Sequence, residues 1–72
     1  MIQLHKLSHE REPFHLNPDL ILTIEAHPDT ILQLTTGVKL AVDESTDQVV
    51  AKVRGWRAEV LAQARLLSVA ST

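Results

Sequence analysis

The side chains of this 72-residue chain best suited to metal binding or proton transfer are its four histidines. They are His5, His9, His15 and His27. Zinc needs three or four ligands at about 2.0–2.1 Å, and this spacing matches no standard zinc motif. Strand pairing could bring two of the first three together, but solvated histidines on a strand face are the commoner case. We therefore expect no metal and no cofactor, and we interpret His27, which precedes a proline, as a turn residue.

Two aspartates, Asp19 and Asp29, each follow a proline. In a Pro-Asp turn the carboxylate can accept a backbone hydrogen bond, which favours a structural role over acid–base catalysis. The sequence has no Gly-rich phosphate loop, and no Ser or Cys nucleophile is placed beside a His and an acid. A core this small cannot spare a cavity of about 300 Å³ without losing stability. We therefore predict that the protein is not an enzyme.

The composition is that of one small folded domain over residues 1–72. Apolar residues make up 44% of the chain and charged residues 22%, which argues against disorder. There is no Cys, and no apolar stretch approaches the ~18 residues of a transmembrane helix. The N-terminus alternates instead of showing a charged patch and an apolar run, so we expect no signal peptide and a cytoplasmic location. A domain of this size buries only about 60% of its unfolded surface, which favours oligomerisation as a source of stability.

Residues 1–44 alternate apolar and polar positions with period two, which predicts five short strands. In the third strand this alternation points Leu20, Leu22 and Ile24 towards the core. Connections between the strands are too short for parallel crossovers, which need about a dozen residues, so the strands should pair antiparallel. The predicted turns are a polar loop at 8–13, corners at Asn17-Pro18-Asp19 and His27-Pro28-Asp29, and a two-residue hairpin at Thr36-Gly37.

At Ser45 the period changes to that of a helix. Ser45 and Gln48 form a capping box, and Asp47 adds negative charge to the first turn. Apolar residues then recur every three or four positions, which predicts an amphipathic helix over 45–70. Its regular part, from Thr46 to about Val69, is about 24 residues and ~36 Å long. The predicted fold is α+β, a small antiparallel sheet of about five short strands followed by one long C-terminal amphipathic helix.

The distal half of this helix keeps its apolar residues beyond strands that span only about 17–20 Å. Either the helix breaks at Gly55 and folds back on its own sheet, or another molecule covers the apolar row. We expect the second, with self-association into a homo-oligomer; the competing occupant is a different protein. The residues of this predicted interaction surface are Trp56, Val60, Ala64 and Leu67.

Several short motifs carry a family resemblance. They are Met1-Ile2, residues 16–21, Ile24-Glu25, Pro28-Asp29-Thr30, residues 34–37, and Val42 with Glu44-Ser45. Together they resemble the FlbD family of small flagellar proteins over roughly residues 1–54, most specifically in the Asn-Pro-Asp-Leu-Ile corner and the Pro-Asp-Thr turn. The chain departs from the family at Leu22, where a Glu is usual, and in its longer first loop and longer helix.

The resemblance implies an accessory protein that supports flagellar motor function or swarming motility through protein–protein interaction. The resemblance does not specify the partner; we expect further copies of the chain, because of the length of the helix, and proteins of the flagellar basal body or motor as further partners. Together with the cytoplasmic location expected from the composition, the flagellar resemblance leads us to expect a peripheral place at the flagellar base.

Charge is divided along the chain. Residues 1–45 carry three Lys and Arg against seven Asp and Glu, a net −4, whereas residues 46–72 carry four against two, a net +2. The basic helix could contact acidic protein, anionic lipid or nucleic acid, although four such charges usually form a solvated face. If the basic helix contacts nucleic acid, the alternative function is a small β-rich RNA-binding module of the Sm-like or carbon-storage-regulator kind. The acidic strand half and the single Phe and Trp argue against it, so we expect no nucleic-acid partner.

Overall fold

The chain folds into five strands and one long helix, in a computed structural model that describes residues 1–26 and 28–70 and the helix side chains up to residue 65. A single 3-10 turn, Pro18–Leu20, precedes the third strand. The α+β class predicted from the sequence is confirmed. The elements are β1 (Ile2–His5), β2 (Pro13–Leu16), β3 (Ile21–Glu25), β4 (Thr30–Leu34), β5 (Lys39–Val42) and α1 (Thr46–Ala70).

The strands are antiparallel and form two small sheets, β1-β2 and β3-β4-β5. The two sheets meet at one corner, through a bridge between Lys6 and Val42. Beside this bridge the Leu7 N–H donates to the Ala41 carbonyl at 3.1 Å. Because β1 runs beside β5 for only this short distance, the five strands form one two-stranded and one three-stranded sheet instead of a single sheet.

The core lies between the sheets and the start of the helix. Leu4, Leu32, Val42 and Val49 are fully enclosed. In β1 and β4 the buried residues alternate with more exposed ones, as the period of two predicts. The buried apolar residues are Ile2, Leu4, Leu16, Leu32, Leu34, Val42 and Val49.

The alternation fails in β3, where the register shifts by one residue between Ile21 and Thr23. Leu22 is the extra residue of this β-bulge, and its side chain is 62% exposed. Leu20 belongs to the 3-10 turn and is 37% exposed. The prediction that Leu20 and Leu22 point into the core is therefore wrong, whereas Ile24 does pack against it.

Asn17 builds the corner before β3. Its Oδ1 accepts a hydrogen bond from the Asp19 N–H at 3.1 Å, and its carbonyl accepts one from the Leu20 N–H at 3.0 Å. Pro18 occupies the first position of the turn and is buried. The role expected of Asp19, accepting a backbone hydrogen bond in the turn, is therefore taken by Asn17, whose side-chain oxygen accepts the N–H two residues on.

The β4–β5 hairpin turns on Gly37, which has φ +91°. The Gly37 N–H donates to the Leu34 carbonyl at 2.9 Å, and the Leu34 N–H donates to the Val38 carbonyl at 2.8 Å. The loop therefore contains three residues instead of the predicted two, with Gly in the left-handed position that such loops require.

The capping box at the start of α1 is confirmed. The Ser45 N–H donates to Gln48 Oε1 at 2.9 Å, and the Gln48 N–H donates to Ser45 Oγ at 3.2 Å. The helix continues without a break through Gly55, so the alternative in which it folds back on its own sheet is wrong.

The helix is docked at its start and projects at its end. Val49 is fully buried, and Val53 and Trp56 pack half-buried against the core, mainly beside β1. Every helix residue from 57 to 65 is exposed. The chain is consequently elongated, with dimensions of 50 × 23 × 19 Å.

Candidate interaction surface

Glu44 fixes the start of the helix to β1. Its Oε1 accepts a hydrogen bond from the His5 backbone N–H at 2.9 Å, and its Oε2 lies 2.7 Å from His5 Nδ1. Burial of the carboxylate, the largest single influence, raises the pKa of Glu44, but the hydrogen bonds from His5 together outweigh it. The pKa of Glu44 is therefore held below its ordinary value, and the side chain is a buried carboxylate.

Sequence reasoning missed this contact and placed His5 on a solvated face. The signal that could have revealed it is the alternation in β5, which continues from Leu40 through Val42 to Glu44 on the inner face. A carboxylate on that face needs a partner, since burying an unpaired charge is costly.

A second contact between α1 and β1 lies about two helical turns beyond Glu44. Lys52 Nζ donates to the Gln3 carbonyl of β1 at 2.8 Å. Both contacts are made to β1, so they orient α1 relative to the sheets. The direction of the projecting segment is set by these contacts and by the packing of Trp56.

The projecting segment presents an apolar face that we call the distal helix surface, made of Trp56, Val60, Leu61 and Ala64. Val60 is 44% exposed and Leu61 is 60% exposed. Trp56 has a double role, because it packs on the core and also lines a shallow groove of about 320 Å³ with Val60 and Leu61. Of the predicted interaction residues, Trp56, Val60 and Ala64 lie here, and Leu67 lies outside the described side chains.

A second groove, of about 440 Å³, runs between β3 and α1, and we call it the β3–α1 groove. Arg57 lines both grooves, which makes them neighbours on one side of the molecule. Sequence analysis missed this groove because it assigned Leu22 to the core; the family's usual Glu at that position was the signal of exposure. The lining residues are Pro18, Ile21, Leu22, Thr23, Ile24, Val50, Val53, Arg54 and Arg57.

The histidines of the described part of the chain are not paired across the strands. In the register of β1 with β2, neither His5 nor His15 lies opposite another histidine. His9 is exposed in the loop between these strands, and His27 lies outside the described residues. Within residues 1–26 and 28–70, no group of three or more His, Cys, Asp or Glu side chains is placed to hold a metal ion.

The predicted turn residues sit apart from one another. Asp19 is exposed and lines the groove of the distal helix surface. Pro28 and Asp29 are exposed in the loop before β4. None of the helices in the described part of the chain combines the length and the apolar character needed to cross a membrane.

These features define a small α+β protein whose helix is docked by its first turns and carries apolar grooves beside and beyond them. Residues 1–61 match the family model FlbD, flagellar and swarming motility proteins. The match spans 61 of the 72 residues, so the chain belongs to the FlbD family. Searches of curated proteins and of solved structures gave no significant match.

The family match confirms the resemblance seen in the sequence and extends it. It ends at residue 61 instead of about 54, so it includes Val60 and Leu61 and stops before Ala64. This family is one of motility proteins and is not a known enzyme family. A role in flagellar function or swarming is therefore the function class to which the chain is assigned.

Proposed function

We propose that this protein is a non-enzymatic accessory protein of flagellar motility or swarming that acts by binding other proteins. The observation that carries the proposal is the exposed apolar face of α1, which begins inside the segment shared with the family. It works in the cytoplasm at the flagellar base, where the proteins that assemble and drive the flagellum are within reach.

The energetic argument rests on the exposure of Val60 and Leu61. Fully burying a Val or Leu side chain is worth about 1.5–3 kcal/mol, and the part that corresponds to the exposed 44% of Val60 and 60% of Leu61 is forgone in water. A 72-residue domain has little stability to spare, and contiguous exposed apolar patches on small proteins commonly mark binding sites. A partner that covers this face therefore stabilises both the complex and the end of the helix.

A second copy of the chain is the proposed occupant of the distal helix surface. Each copy brings the same row of Trp56, Val60 and Ala64, so a symmetric contact buries two apolar faces at once. The helix projects from the sheets, so two such segments can meet without their sheets colliding. This arrangement leaves the β3–α1 groove, which adjoins the distal helix surface at Arg57, for a motor or basal-body protein.

No observation favours the RNA-binding alternative. The charged residues of the described grooves are few, and the aromatic platforms on which unpaired bases stack are limited to Phe14 and Trp56, both packed on the core. Membership of a motility family does not point to RNA either.

Deletion of the gene in its own bacterium tests the proposal. We expect reduced swarm expansion or reduced swimming speed, restored by the wild-type gene in trans. Counting filaments by electron microscopy separates a defect in assembly from a defect in motor output. Normal swarming and swimming of the deletion strain would contradict a role in motility.

A further inference from the structure

We propose that the β3–α1 groove binds an extended acidic segment of a partner protein, which adds as a strand to the edge of β3. This inference rests on the proposed function and names the chemistry of the partner. Three observations carry it: the free edge of β3, the apolar lining, and the charge of the rim.

The edge of β3 faces this groove. Within the described strands, β3 pairs only with β4, so the other side of β3 carries backbone N–H and C=O groups without a strand partner. Thr23 and Ile24 are consecutive residues past the bulge and project to opposite faces, yet both line the groove. A groove that touches both faces of a strand runs along its edge, which is the geometry that strand addition needs.

The floor of the groove supplies pockets for alternate side chains. Val50 and Val53 are half-buried on the helix side, and Ile24 is half-buried on the strand side. The bulge raises Leu22 out of the sheet to 62% exposure at the groove. An added strand would place every second side chain between Leu22 and the helix.

The rim of the groove is positively charged. Arg54 and Arg57 are its charged residues among the described lining, and both are exposed. Guanidinium groups bind carboxylates in a bidentate manner, so Asp or Glu beside the apolar residues of the partner would be selected. The helix half of a second copy is disfavoured here, since it carries a net charge of +2.

The test is a selection of displayed random peptides of about 12 residues on the full-length protein, followed by synthesis of the enriched peptides. We expect enriched sequences to combine alternate apolar residues with Asp or Glu. Their dissociation constants, measured by fluorescence anisotropy, should rise by about tenfold or more in Arg54→Glu/Arg57→Glu. The matched control is Arg65→Glu, which reverses an exposed helix charge outside the groove and should leave the affinity unchanged.

Hydrogen exchange supplies the structural readout. A peptide bound as a strand should slow exchange of alternate amides in β3, whereas a peptide bound only to the helix would leave them unchanged. Leu22→Asp and the milder Arg54→Gln/Arg57→Gln change exposed residues of the groove, so we expect these variants to fold and to bind the enriched peptides more weakly. Circular dichroism checks each fold before binding is measured.

Several results would overturn the inference. They are no enrichment, enriched peptides without acidic residues, binding that survives the Arg54 and Arg57 changes, or a change of oligomeric state on those changes. Failure here is distinguishable from failure of the proposed function, which is judged by swarming of the deletion strain. Peptide binding lost in Arg54→Glu/Arg57→Glu, with β3 protection in the wild type, would support it.

Discussion

His5 and Glu44 are joined at two points, because the Glu44 carboxylate accepts the His5 backbone N–H and also contacts its ring nitrogen. The two residues are 39 positions apart, so this contact ties the first strand to the segment that starts the helix. The position of the projecting helix depends on it, together with the Lys52 contact to β1.

Glu44→Gln should lower the free energy of unfolding by about 1–3 kcal/mol at neutral pH, because a buried charge-assisted hydrogen bond is weakened. The pKa of Glu44 is lowered on folding from an ordinary value of 4.5, so the carboxylate stabilises the fold above that pH. This contribution is lost as the pH falls through the lower folded-state pKa. Urea unfolding of both proteins across this pH range should show their difference shrinking in acid.

The matched control for this measurement is Glu12→Gln. Glu12 is exposed, and its Oε2 lies 3.5 Å from Lys6 Nζ. Loss of this exposed ion pair should lower the free energy of unfolding by less than about 0.5 kcal/mol. An effect of Glu44→Gln that is small, or that does not change with pH, would show that the carboxylate is not important to the docking of the helix.

Two glycine substitutions should have opposite effects on the free energy of unfolding. Gly55→Ala should stabilise the protein by up to about 1 kcal/mol, since a Cβ at this helical position meets no atom within 4 Å. Gly37→Ala is equally free of contacts, but its φ of +91° should cost about 1–2 kcal/mol. Thermal unfolding of the pair checks this, and destabilisation by Gly55→Ala would point to a close packing contact in the helical half.

Leu22→Ala and Leu32→Ala compare the two kinds of leucine in the sheet. Leu32 is fully buried, so its truncation should cost about 2–5 kcal/mol. Leu22 is mostly exposed in the bulge, so its truncation should change the stability by less than about 0.5 kcal/mol. Equal losses in denaturant unfolding would mean that the bulge is absent and that the simple alternation of β3 is right.

The behaviour of β3 shows what periodicity can predict. In β1 and β4 a strict period of two placed Leu4 and Leu32 correctly, because every residue there pairs with one partner. A bulge inserts one unpaired residue, and nothing in the apolar pattern around Leu22 marks the insertion. The period alone therefore assigns this leucine to the wrong side.

One part of the candidate site could likewise be predicted from the sequence, and another part could not. The exposed face at Val60 was predictable, because the helical pattern extends past the length of the strands. The alternation in β5 and the family's usual Glu at position 22 signalled a buried Glu44 and an exposed Leu22. That Glu44 meets His5 and that β3 meets α1 was not predictable, because each joins segments far apart in the chain. Local spacing carries no information about which distant segments approach one another.

Self-association through the distal helix surface should appear in light scattering across a dilution series. We expect a species larger than the 8.0 kDa monomer at high concentration, converted to monomer by Val60→Asp/Leu61→Asp. Ala62→Asp is the control, since it adds one negative charge at an exposed position on the opposite side of the helix. A monomer at every concentration would contradict self-association, although the surface could then serve a different protein.

The most direct test that this protein acts through the exposed face of its helix uses the deletion strain. Its swarm expansion when it carries Val60→Asp is compared with its swarm expansion when it carries Ala62→Asp. Both residues are exposed, so neither change should unfold the protein, and immunoblotting confirms equal amounts. We predict that Val60→Asp swarms no better than the deletion strain, whereas Ala62→Asp restores wild-type expansion. Full swarming with Val60→Asp would contradict a role for this face in motility.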